Sequence, residues 1–241
     1  MGATTTALLT ATCLATEDAA GAWLIEADPA GGVLAGRLDV APQCLGGLER
    51  VAFPTERLAV TEALAATAHV HGDLRMVLGP GDPFRAFSCH QPRVPWVPAL
   101  CDLPGSVVVD VGTVRAGSPV WPLLAQADVV LLVSSPEVSS AVAATEWVQA
   151  AGRVSPGDPG LLATPARIVF VDAPAGIAMT KSNLLADLGA QCAGWLPWEP
   201  ATVDLVHRGA GSNDRRLRRS SLMNAVSHMV AELSANELVA R

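Results

Sequence analysis

Short, continuous apolar segments recur along the chain and alternate with segments of helical periodicity. The apolar segments predict buried strands because they lack the polar alternation of half-exposed strands. We predict strands at 22–28, 74–78, 106–110, 128–134 and 167–172, with a short last strand at 195–197. We predict helices at 4–15, 55–68, 119–127, 137–154 and 181–189. This alternation predicts an α/β fold with a mostly parallel sheet and helices on both faces.

Three further stretches complete the pattern. Residues 41–54 are rich in loop-forming residues, and residues 83–105 carry many prolines, so we predict irregular surface there. The segment 213–241 begins with a basic cluster and continues as a helix with one apolar stripe. A basic amphipathic helix of this kind, at 215–233, can bind an acidic membrane surface or pack on the sheet. The interleaved acids Glu232 and Glu237 argue against binding to an acidic membrane and favour the closing helix of a single domain spanning 1–241.

Composition narrows the class of protein. The 241 residues fit one domain with a large core, and the mean hydropathy is +0.35. No stretch reaches the roughly 18 apolar residues of a membrane span. The net charge of −7 argues against a nucleic-acid surface, and we expect no sequence-specific nucleic-acid partner. The five cysteines are scattered without a C-x-x-C pair, which predicts free thiols and a cytoplasmic location.

The first residues, Gly2-Ala3-Thr4-Thr5-Thr6, open the first predicted helix with a glycine and a run of hydroxyls. This is the pattern of the second half of a phosphate-binding loop, where helical N–H groups face an anion and a hydroxyl reaches Mg²⁺. The lysine of G-x-x-x-x-G-K-[ST] is replaced by Ala3. The alternative is a threonine-rich N-terminus of an ordinary helix.

Acidic residues follow three of the predicted strands: Asp28, Asp110 and Asp172. Parallel sheets bind ligands at the carboxyl ends of their strands. We expect Asp28 and Asp110 to share a site with the threonine run, whereas Asp172 alone is better explained as a helix cap.

In these blocks the chain resembles the MinD/ParA family of deviant-Walker P-loop ATPases. Residues 2–8 resemble the family's G-K-T-T-T-A-x, and residues 24–32, LIEADPAGG, are similar to its L-I-D-x-D-P-x-G-x. Residues 107–110 with Gly112 resemble the Walker B strand. Weaker likenesses lie at 127–136 and 194–197. The resemblance implies a P-loop NTPase fold of the SIMIBI or MinD-like kind.

The resemblance also implies a site that binds ATP and Mg²⁺. Thr4 would ligate Mg²⁺, and Asp110 would hold the ion through its water shell. Asp28 would orient the attacking water, and Glu26 stands where the family has an acid near the metal. The phosphates would lie against a loop formed by Gly2, Ala3, Thr4, Thr5 and Thr6.

Function follows from the same resemblance. It implies a switch that dimerises on ATP and acts with a protein partner in positioning, partitioning, or secretion or pilus assembly. Because Ala3 lacks the phosphate-binding charge of lysine, the alternative is a pseudo-ATPase scaffold. Lys181 is too far along the chain to replace that lysine and reads as a surface residue.

The strand that normally delivers such a loop is not in the sequence. Omitting a central strand would leave two neighbouring strands unpaired. We therefore expect a first strand to be missing and the start at Met1 to be internal, with a GTG valine codon read as the start.

Other chemistries have little support. Gly79-Pro80-Gly81 and Gly209-Ala210-Gly211 lack the third glycine of a dinucleotide fingerprint. No sequence resembles a nucleophile elbow, so Ser-His-Asp catalysis is not indicated. His69 and His71 are two residues apart and on a helix would not share a face, which argues against a metal pair.

Overall fold

The structure is a computed structural model. It describes residues 2–38, 40, 45–54, 59–91, 96–151, 162, 166–172, 179–188 and 191–240, with side chains as far as 235.

The strands and helices alternate as the sequence predicts, and most strands pair in parallel. The strands are β1 (Ala22–Glu26), β2 (His69–His71), β3 (Leu74–Val77), β4 (Ser106–Asp110), β5 (Leu131–Ser134), β6 (Arg167–Val171) and β7 (Cys192–Leu196). The helices are α1 (Ala3–Glu17), α2 (Leu34–Arg37), α3 (Gly47–Ala52), α4 (Val60–Thr67), α5 (Pro83–Ser88), α6 (Trp96–Ala99), α7 (Trp121–Gln126), α8 (Val138–Ala151), α9 (Lys181–Leu188), α10 (Pro200–His207), α11 (Arg215–Arg218) and α12 (Ser221–Ala240).

Several elements correct the sequence-based expectations. The loop expected at 41–54 contains α3, and the irregular stretch expected at 83–105 contains α5, α6 and a 3-10 helix at Leu100–Asp102. Helix α5 begins where Asp82 accepts hydrogen bonds from the N–H groups of Phe84 and Arg85 and Pro83 fills the first helical position. Helix α10 was not predicted. Parts of the predicted segments 41–54, 55–68, 83–105, 137–154, 181–189 and 213–241 lie outside the described residues.

The chain divides into two compact units. The first unit consists of Ala7–Val120 and Ala201–Arg218, and the second of Met1–Thr6, Trp121–Pro200 and Arg219–Arg241. The single domain over 1–241 stays a prediction.

The first unit contains a sheet with strand order β2-β3-β1-β4. Strand β1 pairs in parallel with β3 and β4 and is buried along its whole length. Strand β2 is an antiparallel edge strand. Because His69 and His71 lie on this strand and not on a helix, their side chains share one face, which corrects the expectation from sequence.

The second unit contains the parallel sheet β5-β6-β7. Helix α12 packs on β7, where an added Cβ at Gly194 would lie 3.0 Å from Cγ of Met229. Leu222, Val226 and Val230 of the same helix are also buried. This packing is that of the closing helix favoured from sequence. Among the described residues, none of the helices combines the length and the hydrophobicity that a membrane-spanning segment requires.

Strands β4 and β5 differ from the buried strands predicted at their positions. Each lies at an edge of its sheet, and residues 106–109 and 131–134 are half-exposed, whereas β1 is fully buried. Each therefore presents an unpaired ladder of backbone groups among the described residues.

Candidate functional site

The candidate site lies at the carboxyl ends of β1 and β4 in the first unit. The parallel register places Glu26 beside Asp110, and the N–H of Ala27 donates to the carbonyl of Asp110 at 2.8 Å. Asp28 follows two residues after Glu26. The two aspartates predicted to share a site therefore do lie together, with Glu26 as a third carboxylate.

Glu26 is 1% exposed, and its carboxylate is surrounded by backbone donors. Oε1 accepts from the N–H groups of Val33 at 2.6 Å and Leu34 at 2.7 Å, and Oε2 accepts from Gly79 at 3.1 Å. Burial raises the pKa of Glu26, these hydrogen bonds lower it, and the charge of Asp110 raises it again, with burial the largest effect. Both carboxylate oxygens are thus engaged in holding two loops to the end of β1.

Glycines make room for this carboxylate. An added Cβ at Gly32 would lie 2.5 Å from Oε2 of Glu26, and one at Gly79 would lie 2.8 Å from the Glu26 carbonyl oxygen. Only residues without a side chain allow both loops to approach so closely. In the sequence, Gly79-Pro80-Gly81 follows a predicted strand and lacks the spacing of a dinucleotide motif, and neither feature indicates its contact with Glu26.

Asp28 sits in a tight turn above the strand end. Its Oδ1 accepts from the N–H of Ala30 at 2.8 Å, and its carbonyl accepts from Gly31 at 3.1 Å. Gly112 has φ +62°, and a Cβ there would collide with the Asp28 carboxylate. Burial, and then the charge of Asp110, raise the pKa of Asp28 against the Ala30 hydrogen bond. The turn leaves Asp28 half-exposed at the surface of the site.

Asp110 is the buried acid of the group, at 3% exposure. Its Oδ1 accepts from the N–H of Gly112 at 3.1 Å, and its buried Oδ2 has no hydrogen-bond partner among the described residues. A buried carboxylate oxygen without a partner is costly unless a cation or a water completes it. Oxygen is the ligand that Mg²⁺ prefers, and Mg²⁺ keeps several waters, so Asp110 fits this ion directly or through its shell.

The site as a whole has unbalanced negative charge. Within the described part of the chain, none of these three carboxylates is ion-paired. In the same part of the chain, no group of three or more His, Cys, Asp or Glu side chains is arranged to hold a metal by itself. A bound cation would therefore need oxygens from elsewhere, such as a hydroxyl, water or phosphate.

The hydroxyl-rich start of α1 belongs to the second unit up to Thr6. The carbonyl of Gly2 accepts from both the N–H of Thr6, at 3.0 Å, and its Oγ1, at 3.1 Å. Thr5 and Thr6 are 3% exposed, whereas Thr4 is half-exposed and Gly2 is exposed. Helix α1 therefore begins where the sequence predicts, and Thr4 is its accessible hydroxyl. The convergence of Thr4 with Asp28 and Asp110 stays a prediction.

Asp172 and Lys181, the other two positions considered from sequence, lie in the second unit and make structural or solvent contacts. Asp172 in the second unit accepts a hydrogen bond from the indole Nε1 of Trp195 at 2.8 Å, which ties β6 to β7. Lys181 is exposed at the start of α9, as expected.

Comparison with known proteins identifies the fold. No family model and no curated protein sequence matches the chain. Among solved structures, a ParA family ATPase from Chlorobium tepidum TLS aligns over 94% of this chain and 91% of its own, with 16% identity and a TM-score of 0.73. MinD from Pyrococcus horikoshii OT3, solved with Mg-ADP, aligns over 98% and 92%, with 14% identity and a TM-score of 0.70.

A third structure is that of MinD from Aquifex aeolicus in complex with MinC. It aligns over 96% of this chain and 90% of its own, with 18% identity and a TM-score of 0.60. The chain thus has, over nearly its full length, the α/β fold of the ParA and MinD ATPases, which confirms the resemblance read from its sequence.

Proposed function

We propose that this protein is a MinD/ParA-like nucleotide-binding switch that takes ATP with Mg²⁺. The observation that carries the proposal is the unpartnered buried Oδ2 of Asp110, beside Asp28 at the carboxyl ends of parallel strands. Support for the ligand comes from the P. horikoshii MinD of the same fold, which was solved with Mg-ADP. We further propose a cytoplasmic protein that forms a homodimer on binding nucleotide.

Each residue of the proposed site has a role that follows from its chemistry. Thr4 would offer its hydroxyl to Mg²⁺ at the N-terminus of α1, while the backbone N–H groups from Gly2 to Thr6, including those of Ala3 and Thr5, would bind the phosphates. Asp110 would hold the water shell of Mg²⁺ through Oδ2. Asp28, half-exposed in its turn, would orient the attacking water. The chemistry that Mg²⁺ would supply when bound is neutralisation of charge on the phosphate oxygens.

Glu26 has a different part in this proposal. The resemblance places it near the metal, but its oxygens already accept three backbone hydrogen bonds. We propose that it positions the turn that carries Asp28, because Val33 and Leu34 follow that turn directly. It would influence the metal through its charge alone.

The second candidate function, a pseudo-ATPase scaffold, is favoured by Ala3. Loss of one electrostatic contact to a transition state costs about 10²–10³ in rate. Such a scaffold would retain the fold and its protein partner without turnover. The switch would act in positioning, partitioning, or secretion or pilus assembly, and the MinC:MinD complex of A. aeolicus is an example of a partner bound by this fold.

Calorimetry with ATP separates these functions. The switch predicts binding that requires Mg²⁺ and weakens about 10–100-fold in Asp110→Asn, the range seen when a group that supports a metal is removed. A scaffold predicts no binding at millimolar Mg-ATP. Ala3→Lys should raise turnover by about 10²-fold, whereas the control Ala7→Lys, one turn further along α1, should not.

We also propose that a strand encoded upstream of Gly2 pairs with β4. The proposed strand is supported by the half-exposure of residues 106–109 at the edge of their sheet. In the second unit, β5 is likewise a half-exposed edge strand. In-frame upstream codons for an apolar segment ending in glycines are expected. A stop codon directly upstream in the same frame would refute it.

A further inference from the structure

The edge strand β2 carries two histidines that the proposed function does not use. In the antiparallel pair, His69 lies opposite Met76 and His71 lies opposite Leu74. Val70, between the two histidines, points to the other face and is 62% exposed. Residues directly opposite on an antiparallel pair have Cβ atoms about 4.5–5.5 Å apart, so Met76 is within reach of His69.

His69, His71 and Met76 line one small cavity in the first unit. Its volume is about 30 Å³, and Leu8 and Thr12 of α1 and Val206 of α10 contribute to its wall. A cavity needs about 10–15 Å³ to hold a water, so this one has room for an ion with a water. Both histidines are half-exposed, which leaves them accessible from solvent.

The imidazoles are available as ligands. Neither His69 nor His71 has a hydrogen-bond partner among the described residues. The other polar group of the wall, Oγ1 of Thr12, donates to the carbonyl of Leu8 at 2.7 Å.

The backbone at Gly211 packs against the ring of His71. An added Cβ at Gly211 would lie 2.5 Å from Nε2 of His71, so the imidazole rests directly against this backbone. The chain that follows α10 therefore covers one side of the His71 ring. A larger residue at 211 would displace it.

The ligand set indicates which ion fits. All the donors that line the cavity are neutral, and no carboxylate is among its lining residues. A divalent ion would enter this partly buried site with its charge uncompensated, whereas a monovalent ion costs less to desolvate. Thioethers are soft ligands that favour Cu(I), and imidazole also suits copper.

We propose that His69, His71 and Met76 form a three-coordinate Cu(I) site. It lies on the edge strand β2, and it stands independently of the nucleotide function. Met76 distinguishes the proposed ion from Zn²⁺, because Zn²⁺ prefers nitrogen, oxygen and thiolate ligands.

The test is an anaerobic titration of the full chain with Cu(I) against a chromogenic chelator. His69→Asn, His71→Asn and Met76→Leu should each weaken the tightest site at least about tenfold. The control His228→Asn, an exposed residue on α12 paired with Glu232, should leave it unchanged. All variants keep the same cysteines, so thiol binding contributes equally to each.

Two results would overturn the proposal. One is a His69→Asn/His71→Asn double variant that binds Cu(I) as tightly as the unaltered chain. The other uses no variant and therefore does not depend on their folding: X-ray absorption of the unaltered chain with one Cu(I) should show both nitrogen and sulfur ligands. A first shell of sulfur alone would place the ion at cysteines.

Discussion

The carboxylate of Glu26 gives the sharpest energetic prediction, since it accepts hydrogen bonds from three backbone N–H groups. In Glu26→Ala all three donors lose their acceptor. Val33 is 42% exposed, so water can replace the acceptor for its N–H, but Leu34 and Gly79 are buried. An unsatisfied buried donor costs about 1–3 kcal/mol, which gives about 2–6 kcal/mol for the two.

An opposing effect reduces this loss. Burial raises the pKa of Glu26, so the ionised side chain is destabilised in the fold and its removal recovers part of the cost. We expect Glu26→Ala to lower the free energy of unfolding by about 3 kcal/mol at pH 7. Glu26→Gln keeps an oxygen for Val33 and Leu34 but turns an amide donor towards Gly79, so its loss should be smaller.

Urea unfolding in EDTA, followed by circular dichroism, measures both variants without bound metal. The control Glu232→Ala removes an exposed acid, 56% accessible, whose pair with His228 is worth less than about 1 kcal/mol. The positioning role would be refuted if Glu26→Ala were as stable as the unaltered chain in EDTA and less stable than the unaltered chain only in Mg²⁺. Glu26 would then be a metal ligand.

Three further predictions concern neighbouring groups. Because the pKa of Asp28 is raised in the fold, its stabilising contribution is present below about pH 3.8, its ordinary value, and is lost as pH rises through the raised value. Asp28→Asn should therefore gain stability relative to the unaltered chain as the pH rises from about 4 to about 7. Urea unfolding measures this, and a difference in the free energy of unfolding between the two proteins that stays the same at both pH values would contradict it. Gly112→Ala should cost about 1–2 kcal/mol for its positive φ and more for its collision with Asp28, so in an Asp28→Ala background the loss should be smaller; equal losses in both backgrounds would show that the two do not touch. Cys101 is exposed whereas burial raises the pKa of Cys89 to about 11, so iodoacetamide in mass spectrometry should label Cys101 and not Cys89 in the folded chain; early labelling of Cys89 would contradict its burial.

The sequence predicts the parallel core well because its strands are continuous apolar segments. Strands β1 and β4 follow such runs, and their ends locate Asp28 and Asp110. Parallel strands align their carboxyl ends, so a local pattern suffices to bring those two acids together. The threonine run likewise predicts the start of α1, since hydroxyls and glycine are common at helix N-termini.

Other features depend on contacts that no local pattern contains. The role of Glu26 requires Gly79, which comes from the end of β3, and its hydrogen bonds could not be read from the LIEAD segment. Strand β2 is only three residues long and forms by pairing with β3, so no local pattern predicts a strand at His69 and His71. Helix α5 could have been predicted from Asp82 and Pro83, an N-cap followed by a proline at the first helical position.

The half-exposure of β4 and β5 also could not be predicted from sequence. Their residues are as apolar as those of buried strands, and a pattern cannot show whether a neighbouring strand is present. The exposure arises from their place at the sheet edges.

The central claim is that the start of α1 and the two strand-end aspartates form one magnesium and nucleotide site. A crystal structure of the chain with Mg²⁺ and a non-hydrolysable ATP analogue tests it most directly. We predict Mg²⁺ at about 2.0–2.1 Å from Oγ1 of Thr4, with Asp110 bound to the ion or to one of its waters. A nucleotide bound elsewhere, or an ion that contacts neither Thr4 nor the shell held by Asp110, would contradict the account.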